Sequence, residues 1–218
     1  WSSDVCSSDL NNNNMSSSEQ DTSVDYDAKK WDAYFEHDGA LSDYIKYCLE
    51  EEKLDLKQIL KDLAKAAKVD SKDCPRIFDF GCGRGHMLQL ILDLGLAGDD
   101  KTNRQLYGCD LNPGAIAYAH KHYPKLNVFC DNLMDSIVDA SACRFQLGIC
   151  SAVLAHLHHK DKPLFLQRVR KTCKYFCYME EKHTKKHDKQ MGTFTFHYDD
   201  YGPMCKRILG TQVYSKTF

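Results

Sequence analysis

The sequence predicts an α/β fold, a three-layer sandwich in which a mostly parallel sheet is flanked by helices. From Arg76 onward, short apolar runs rich in aromatic and β-branched residues alternate with runs of helical period: "RIFDF", "QLYGCD", "NVFC", "FQLGICS" and "YFCYME" are the strand-like ones. The first of them opens straight into "GCGRG" at 81–85. A strand-to-helix turn that bare is where a ligand reaches the main chain, because side chains there would fill its space. The 218 residues, 43% hydrophobic and 28% charged, suffice for one well-filled core and are short for two.

The elements follow in order. Residues 1–14, "WSSDVCSSDLNNNN", lack apolar periodicity and resemble translated sequencing adaptor, so Met15 is the expected natural start. "SSSEQDTSVDYD" after it is polar and acidic, and residues 1–27 are expected to form a disordered leader. Trp31, Tyr34 and Phe35 recur at helical spacing up to Gly39, and Leu54, Ile59, Leu60 and Leu63 repeat the signal. Helices over 28–70 therefore precede the first strand and are expected to lie over the ligand, with 28–218 forming one domain. "RIFDF" is the first strand, followed by a helix to Gly95; "QLYGCD" is the second. Asn112 and Pro113 then supply an N-cap and a first-turn proline for the next helix. "NVFC", "FQLGICS", a helix around Leu164 to Val169, and "YFCYME" complete the alternation. Sheets of this kind bind ligands at the carboxyl ends of their strands.

Composition limits the function. A formal net charge of −2 gives no general attraction to nucleic acid or anionic membrane. No apolar run is long enough to span a bilayer and none follows a basic start, so a cytoplasmic protein is expected. The 11 cysteines include no CxxC pair and fall in apparent strands (Cys109, Cys130, Cys150, Cys177), as reduced, buried thiols do. Of the 10 histidines, His183 and His187 suit one helix face, and His156, His158 and His159 cluster. Neither group has an acidic or thiol partner at metal-site spacing, so packing or solvation is expected of them and no metal.

Gly81, Gly83 and Gly85 are spaced GxGxG, with His86 where the dinucleotide fingerprint GxGxxG would need glycine. Asp110, at the end of the second strand, follows at the interval where a carboxylate reaches a ribose diol. The pattern asks for an adenosine-like ribose without requiring a diphosphate.

On these residues the chain resembles the class I S-adenosylmethionine-dependent methyltransferases, whose fold is Rossmann-like. "IFDFGCGRG" is similar to their first motif, "LYGCDLNPGAIAYA" to their ribose-binding strand end, and "FQLGICSAVLAHL" to their fourth strand and following loop. The resemblance runs over about residues 75 to 180 and implies S-adenosylmethionine as cofactor. It implies that Asp79, Gly81, Cys82, Gly83 and Gly85 line the methionine end, that Asp110 and Leu111 hold the ribose, and that Asp131, Asn132 and Leu133 face the adenine. Which of Asp131 and Asn132 bonds the exocyclic amine stays open. The resemblance also implies Ser151 among the cofactor-binding residues, and Ser151, Val153 and His156 near the transferred methyl.

After the fourth strand "CSAVLAHLHHKDKP" carries neither the Asn/Asp-Pro-Pro-aromatic pattern of amino-methylating enzymes for bases nor the Pro-Cys of cytosine-carbon enzymes. A small-molecule acceptor is expected, not nucleic acid. His156 is a candidate general base for a hydroxyl, since imidazole titrates near neutral pH; substrate contact and packing are the alternatives. The lysine-rich stretch before "FTFHYDDY" is a solvated surface, or else draws an anionic acceptor. "SAVLAHL", the strand at 175–180 and "FTFHYDDY" together resemble methylases associated with nonulosonic (pseudaminic) acid biosynthesis. The family's sheet ends in an antiparallel pair, and "TQVYSKTF" leaves no room for its last strand, so a C-terminal edge cut short is expected. Two readings from other classes stand beside this one: an NAD(P)-dependent oxidoreductase, and a non-catalytic methyltransferase-like interaction protein.

Overall fold

A computed structural model describes residues 56–66, 77–96, 106–134, 145–180, 185–191 and 194–210. The expected leader at 1–27, the helices expected over 28–70 except for 56–66, and His183 lie outside the described residues. In chain order the elements are α1 (Leu56–Ala66), β1 (Ile77–Phe80), α2 (His86–Asp93), β2 (Leu106–Asp110), α3 (Pro113–His122), β3 (Asn127–Cys130) and β4 (Phe145–Ser151). A 3-10 turn (Leu154–His156), α4 (Lys162–Thr172), β5 (Cys173–Met179), β6 (His187–Met191), β7 (Phe194–Tyr198) and α5 (Tyr201–Leu209) follow.

The first five strands form one sheet in the order β3-β2-β1-β4-β5, every neighbouring pair parallel. All four residues of β1 are buried, as a central strand covered on both faces requires. Residues alternate between the two faces. Ile77, Leu106, Val128, Leu147 and Ile149 pack with Met87, Leu88 and Ile91 of α2, Ile116 and Ala119 of α3, and Leu60 of α1. Phe78, Phe80, Cys109, Phe145 and Cys150 pack with Phe165, Leu166 and Val169 of α4 and with Tyr201 and Cys205 of α5. Phe80 meets Phe165 edge to face, ring centroids 5.4 Å apart. This is the three-layer arrangement that the strand and helix alternation predicts.

The chain runs outward from β1 through β2 to β3, then returns to the other side of β1 for β4. That reversal splits the carboxyl edge between β1 and β4, where Phe80 and Cys150 are in register, and such a split is where open α/β sheets bind ligands.

β6 and β7 form a separate antiparallel pair, His187 opposite Tyr198 and Met191 opposite Phe194. The expectation of a helix face for His187 is thereby corrected: it lies on a strand. "HDKQM" has no apolar period of its own, so its strand character comes from pairing with the aromatic "FTFHY" across the hairpin. Among the described residues, no helix is long and apolar enough to cross a membrane. Cys82, Cys109, Cys150, Cys173 and Cys205 are buried free thiols.

Candidate functional site

Beyond Phe80 the backbone takes a left-handed conformation three times in five residues, at Gly81 (φ 74), Gly83 (φ 51) and Gly85 (φ 81). L side chains rarely adopt it. The N–H groups of Gly81 and Cys82 both donate to the Cys109 carbonyl at 2.9 Å, which folds the turn over the end of β2. A Cβ on Gly81 would stand 2.5 Å from Cγ2 of Val153, in the segment after β4. The turn and that segment are therefore in van der Waals contact across the sheet's reversal point. The Cys82 side chain is buried against Gly108, where an added Cβ would lie 2.8 Å from its own Cβ, and its carbonyl accepts from the Gly85 N–H at 2.9 Å within the turn. Arg84 is buried with its guanidinium 4.5 Å from the Tyr118 ring centroid, toward α3.

Asp110 ties these parts together. Its Oδ2 accepts from the Gly83 N–H at 2.8 Å and its Oδ1 from the Asn112 N–H at 2.9 Å. Asn112 caps α3 as its sequence context predicts, with Oδ1 accepting from the Ala115 N–H at 2.7 Å ahead of Pro113. Leu111, next to Asp110, is half-buried, and its carbonyl accepts from the Cys130 thiol at 3.4 Å. The Asp131 N–H donates to the Asp110 carbonyl at 2.9 Å, which sets the loop after β3 alongside. In that loop Asp131 Oδ1 accepts from the Asn132 N–H at 2.7 Å and Asn132 Oδ1 from the Met134 N–H at 2.9 Å, so both side chains help build the turn. The Leu133 side chain is packed in the cluster under α4, which leaves its backbone facing the loop.

The electrostatics of this corner are acidic. Asp79 is 2% exposed; burial, and then the charge of Asp110, push its carboxyl up to about 7. Burial also raises Asp110, opposed by the N–H groups of Asn112, Gly83 and Leu111. A buried and a half-buried carboxyl group behind a bare backbone turn favour a cationic group and repel an anionic one.

Across the reversal point, Ser151 ends β4 in register with Met179. Ala152 follows at φ 55, the one non-glycine with positive φ among the described residues, and its N–H donates to the Met179 carbonyl at 3.0 Å. Glu180 fixes what comes next: its Oε1 accepts from the N–H groups of Val153 at 2.7 Å and Leu154 at 2.6 Å. Burial pushes this carboxyl up to about 7, with those N–H groups pulling against it. Glu180 is absent from the sequence-based set; its only local trace is an acidic residue directly ending an apolar strand. His156 closes the 3-10 turn half-buried. Burial, then the nearby His197 and Lys162, lower its imidazole to about 4, away from the near-neutral titration expected of it.

The histidine cluster acquires the acidic partners that its sequence spacing lacks. Lys162, wholly buried at the start of α4, donates through Nζ to Asp199 Oδ2 at 2.7 Å and to the His197 carbonyl. Asp199 Oδ2 also meets His159 Nδ1 at 2.6 Å, and Asp188 Oδ1 meets both His159 Nε2 and His197 Nδ1 at 2.8 Å. Asp188 and Asp199 stand 29 and 40 residues from His159, beyond any local spacing rule, and the hairpin delivers them.

Residues 77–175 match the family described as methyltransferase domain. Comparison with curated protein sequences gives no match. Among solved structures, an S-adenosylmethionine-dependent methyltransferase from Clostridium acetobutylicum ATCC 824 aligns at TM-score 0.51 and 10% identity, over 76% of this chain and 83% of that one. DesVI of Streptomyces venezuelae aligns at TM-score 0.48 and 13% identity, over 67% of this chain and 61% of its own. CalS10, an amino pentose methyltransferase from Micromonospora echinaspora, aligns at TM-score 0.49 and 13% identity with the same coverage of 67% and 61%. The chain thus spans 61% of the length of DesVI and of CalS10. The Clostridium likeness shows the Rossmann-like fold that the sequence predicts.

Proposed function

We propose that this chain, whose residues 77–175 match the methyltransferase-domain family, binds S-adenosylmethionine at the carboxyl ends of β1 and β2 and methylates a small molecule held beyond β4. One observation carries the choice of ligand: buried Asp79 and half-buried Asp110 stand together behind the left-handed turn at Gly81, Gly83 and Gly85. A sulfonium and an ammonium suit that corner. A nicotinamide dinucleotide would bring its diphosphate against two carboxylates, at a turn without the third glycine of its own fingerprint.

Asp110 is assigned to the ribose diol. Each of its oxygens accepts one backbone N–H and keeps lone-pair capacity for a hydroxyl, so the loop's anchor and the ribose contact coexist in one carboxylate. Asp79 is assigned to the ammonium of the methionine end, with the main chain of Gly81, Cys82, Gly83 and Gly85 beside it. Asp131, Asn132 and the Leu133 backbone are assigned to the adenine, and the Leu111 backbone to the ribose side. When bound, the cofactor supplies an electrophilic methyl that a lone pair of the acceptor displaces in line. The protein's part is alignment: Ser151, Val153 and the turn pinned by Glu180 fix the acceptor side against the glycine turn. His156, neutral down to about pH 4, is assigned to contact or packing, since so weak a base gains little by taking a proton at neutral pH.

The absence of base-methylating patterns after β4 supports a small-molecule acceptor. Exposed Lys185, Lys186 and Lys189 at the hairpin favour an anionic one. The test is transfer of labelled methyl into fractionated metabolite pools, bulk RNA and bulk DNA. Label in a metabolite fraction, lost in Asp110→Ala, supports the proposal. Faster label entry into RNA or DNA overturns the choice of acceptor, and no turnover with any pool favours the interaction-protein reading.

A further inference from the structure

We propose that His159, Asp188 and His197 form a binding site for one divalent transition-metal ion. The assignment does not rest on the methyl-transfer reading. Three donors from three segments converge: His159 from the stretch before α4, Asp188 from β6 and His197 from β7. One ligand atom from each lies within 4.8 Å of the other two, and Asp188 Oδ1 is 2.8 Å from both His159 Nε2 and His197 Nδ1.

The pattern around them is that of a metal centre. Metal-bound histidines characteristically direct their second ring nitrogen to a carboxylate that fixes the ring. His159 does this, with Nδ1 at 2.6 Å from Asp199 Oδ2, and Asp199 is in turn held by the buried Nζ of Lys162 at 2.7 Å. The two imidazoles are largely buried, with side-chain exposures of 16% and 10%, whereas Asp188 is 56% exposed, so the site opens to solvent on the carboxylate side.

An ion takes the place of the protons that His159 and His197 now share with Asp188. Tetrahedral ligands on a zinc-sized ion stand roughly 3.3 Å apart. The two 2.8 Å contacts must therefore open by about half an ångström. Asp188 is the exposed partner and can move. Two imidazoles and one carboxylate, without thiolate, suit Zn²⁺, Co²⁺ or Fe²⁺ above Mg²⁺ or Ca²⁺, and three protein ligands leave a position open for an oxygen ligand. His159 lies three residues past His156, in the segment that follows β4.

The experiment titrates Co²⁺, then Zn²⁺, into the full-length protein after stripping with a chelator. The expected result is one saturable equivalent of Co²⁺ with visible d–d absorption and no sulfur charge-transfer band, displaced by Zn²⁺ and accompanied by proton release. Asp188→Asn, at an exposed position, should retain its circular dichroism and bind at least about 10- to 100-fold more weakly. His159→Gln should do the same, and Asp188→Asn decides alone if that variant does not fold. Absence of saturable binding, a thiolate band, or equal affinity in Asp188→Asn would each overturn the proposal and leave the cluster a hydrogen-bonded clamp between hairpin and loop.

Discussion

Gly83 donates its N–H to Oδ2 of Asp110 at 2.8 Å, across 27 residues of sequence. The bond joins the two features that the sequence offers separately, the bare turn after β1 and the acid after β2, and it lies wholly within the protein. Pre-organisation of this kind spares the ligand the cost of ordering the loop.

Asp110→Ala removes both the diol acceptor and this tether. S-adenosylmethionine and its demethylated product should each lose on the order of 2 to 4 kcal/mol, roughly 30- to 1000-fold in Kd, because hydrogen bonds to charged groups are the strong kind. Calorimetric Kd values equal to the parent's would remove Asp110 from the site.

Gly81→Ala forces a Cβ into left-handed backbone and to 2.5 Å from Val153 Cγ2. A loss of about 1 to 2 kcal/mol in unfolding free energy is expected, with weakened cofactor binding. Adding Val153→Ala should relieve the steric share and leave the backbone share. An unchanged denaturation midpoint in Gly81→Ala contradicts the contact.

Glu180 gives a pH signature. Its folded pKa of about 7 lies above its ordinary 4.5, so between those values the folded state holds a proton that the unfolded state has released. Its contribution therefore falls as pH rises through that window and is level above it. His156, lowered to about 4, acts in the opposite sense over an overlapping range, so the readout is the difference between parent and Glu180→Gln. Relative to the variant, the parent should lose up to about 3 kcal/mol on going from about pH 4.5 to about pH 7. A pH-independent difference would mean that Glu180 is not buried.

Asp79, pushed up to about 7, should release part of a proton when a cationic ligand binds. Affinity for S-adenosylmethionine should then rise with pH through about 7, and Asp79→Asn should flatten that rise. Calorimetry in buffers of different ionisation enthalpy measures the proton directly; zero release at about pH 6.5 separates Asp79 from the ligand's charge.

His156→Asn should leave the shape of the kcat/KM profile unchanged from about pH 6 to about pH 8, since its imidazole is neutral throughout. An acid limb near pH 6.5 that vanishes in the variant would restore a general-base role.

What was legible in the sequence was what is written locally. Strand and helix periodicity, the glycines, and the Asn112–Pro113 cap each declare themselves within a few residues, and the sheet follows from them. Glu180 and the clamp of His159, Asp188, His197 and Asp199 were not legible, because Glu180 and His159 find their partners 26 to 40 residues away and Asp188 meets His197 only across the hairpin. β6 was missed for the same reason: "HDKQM" is a strand only by virtue of its partner. Burial, which sets the titration of His156, is likewise a property of the packed chain.

The most direct test of the central claim is calorimetry of the full-length protein with S-adenosylmethionine and with NADH under the same conditions. Saturable binding of one S-adenosylmethionine per chain, weakened in Asp110→Ala, with no detectable NADH binding, is the expected result. Tight binding of NADH with none of S-adenosylmethionine would contradict it, and would mean that the acidic corner of Asp79 and Asp110 does not select the ligand's charge.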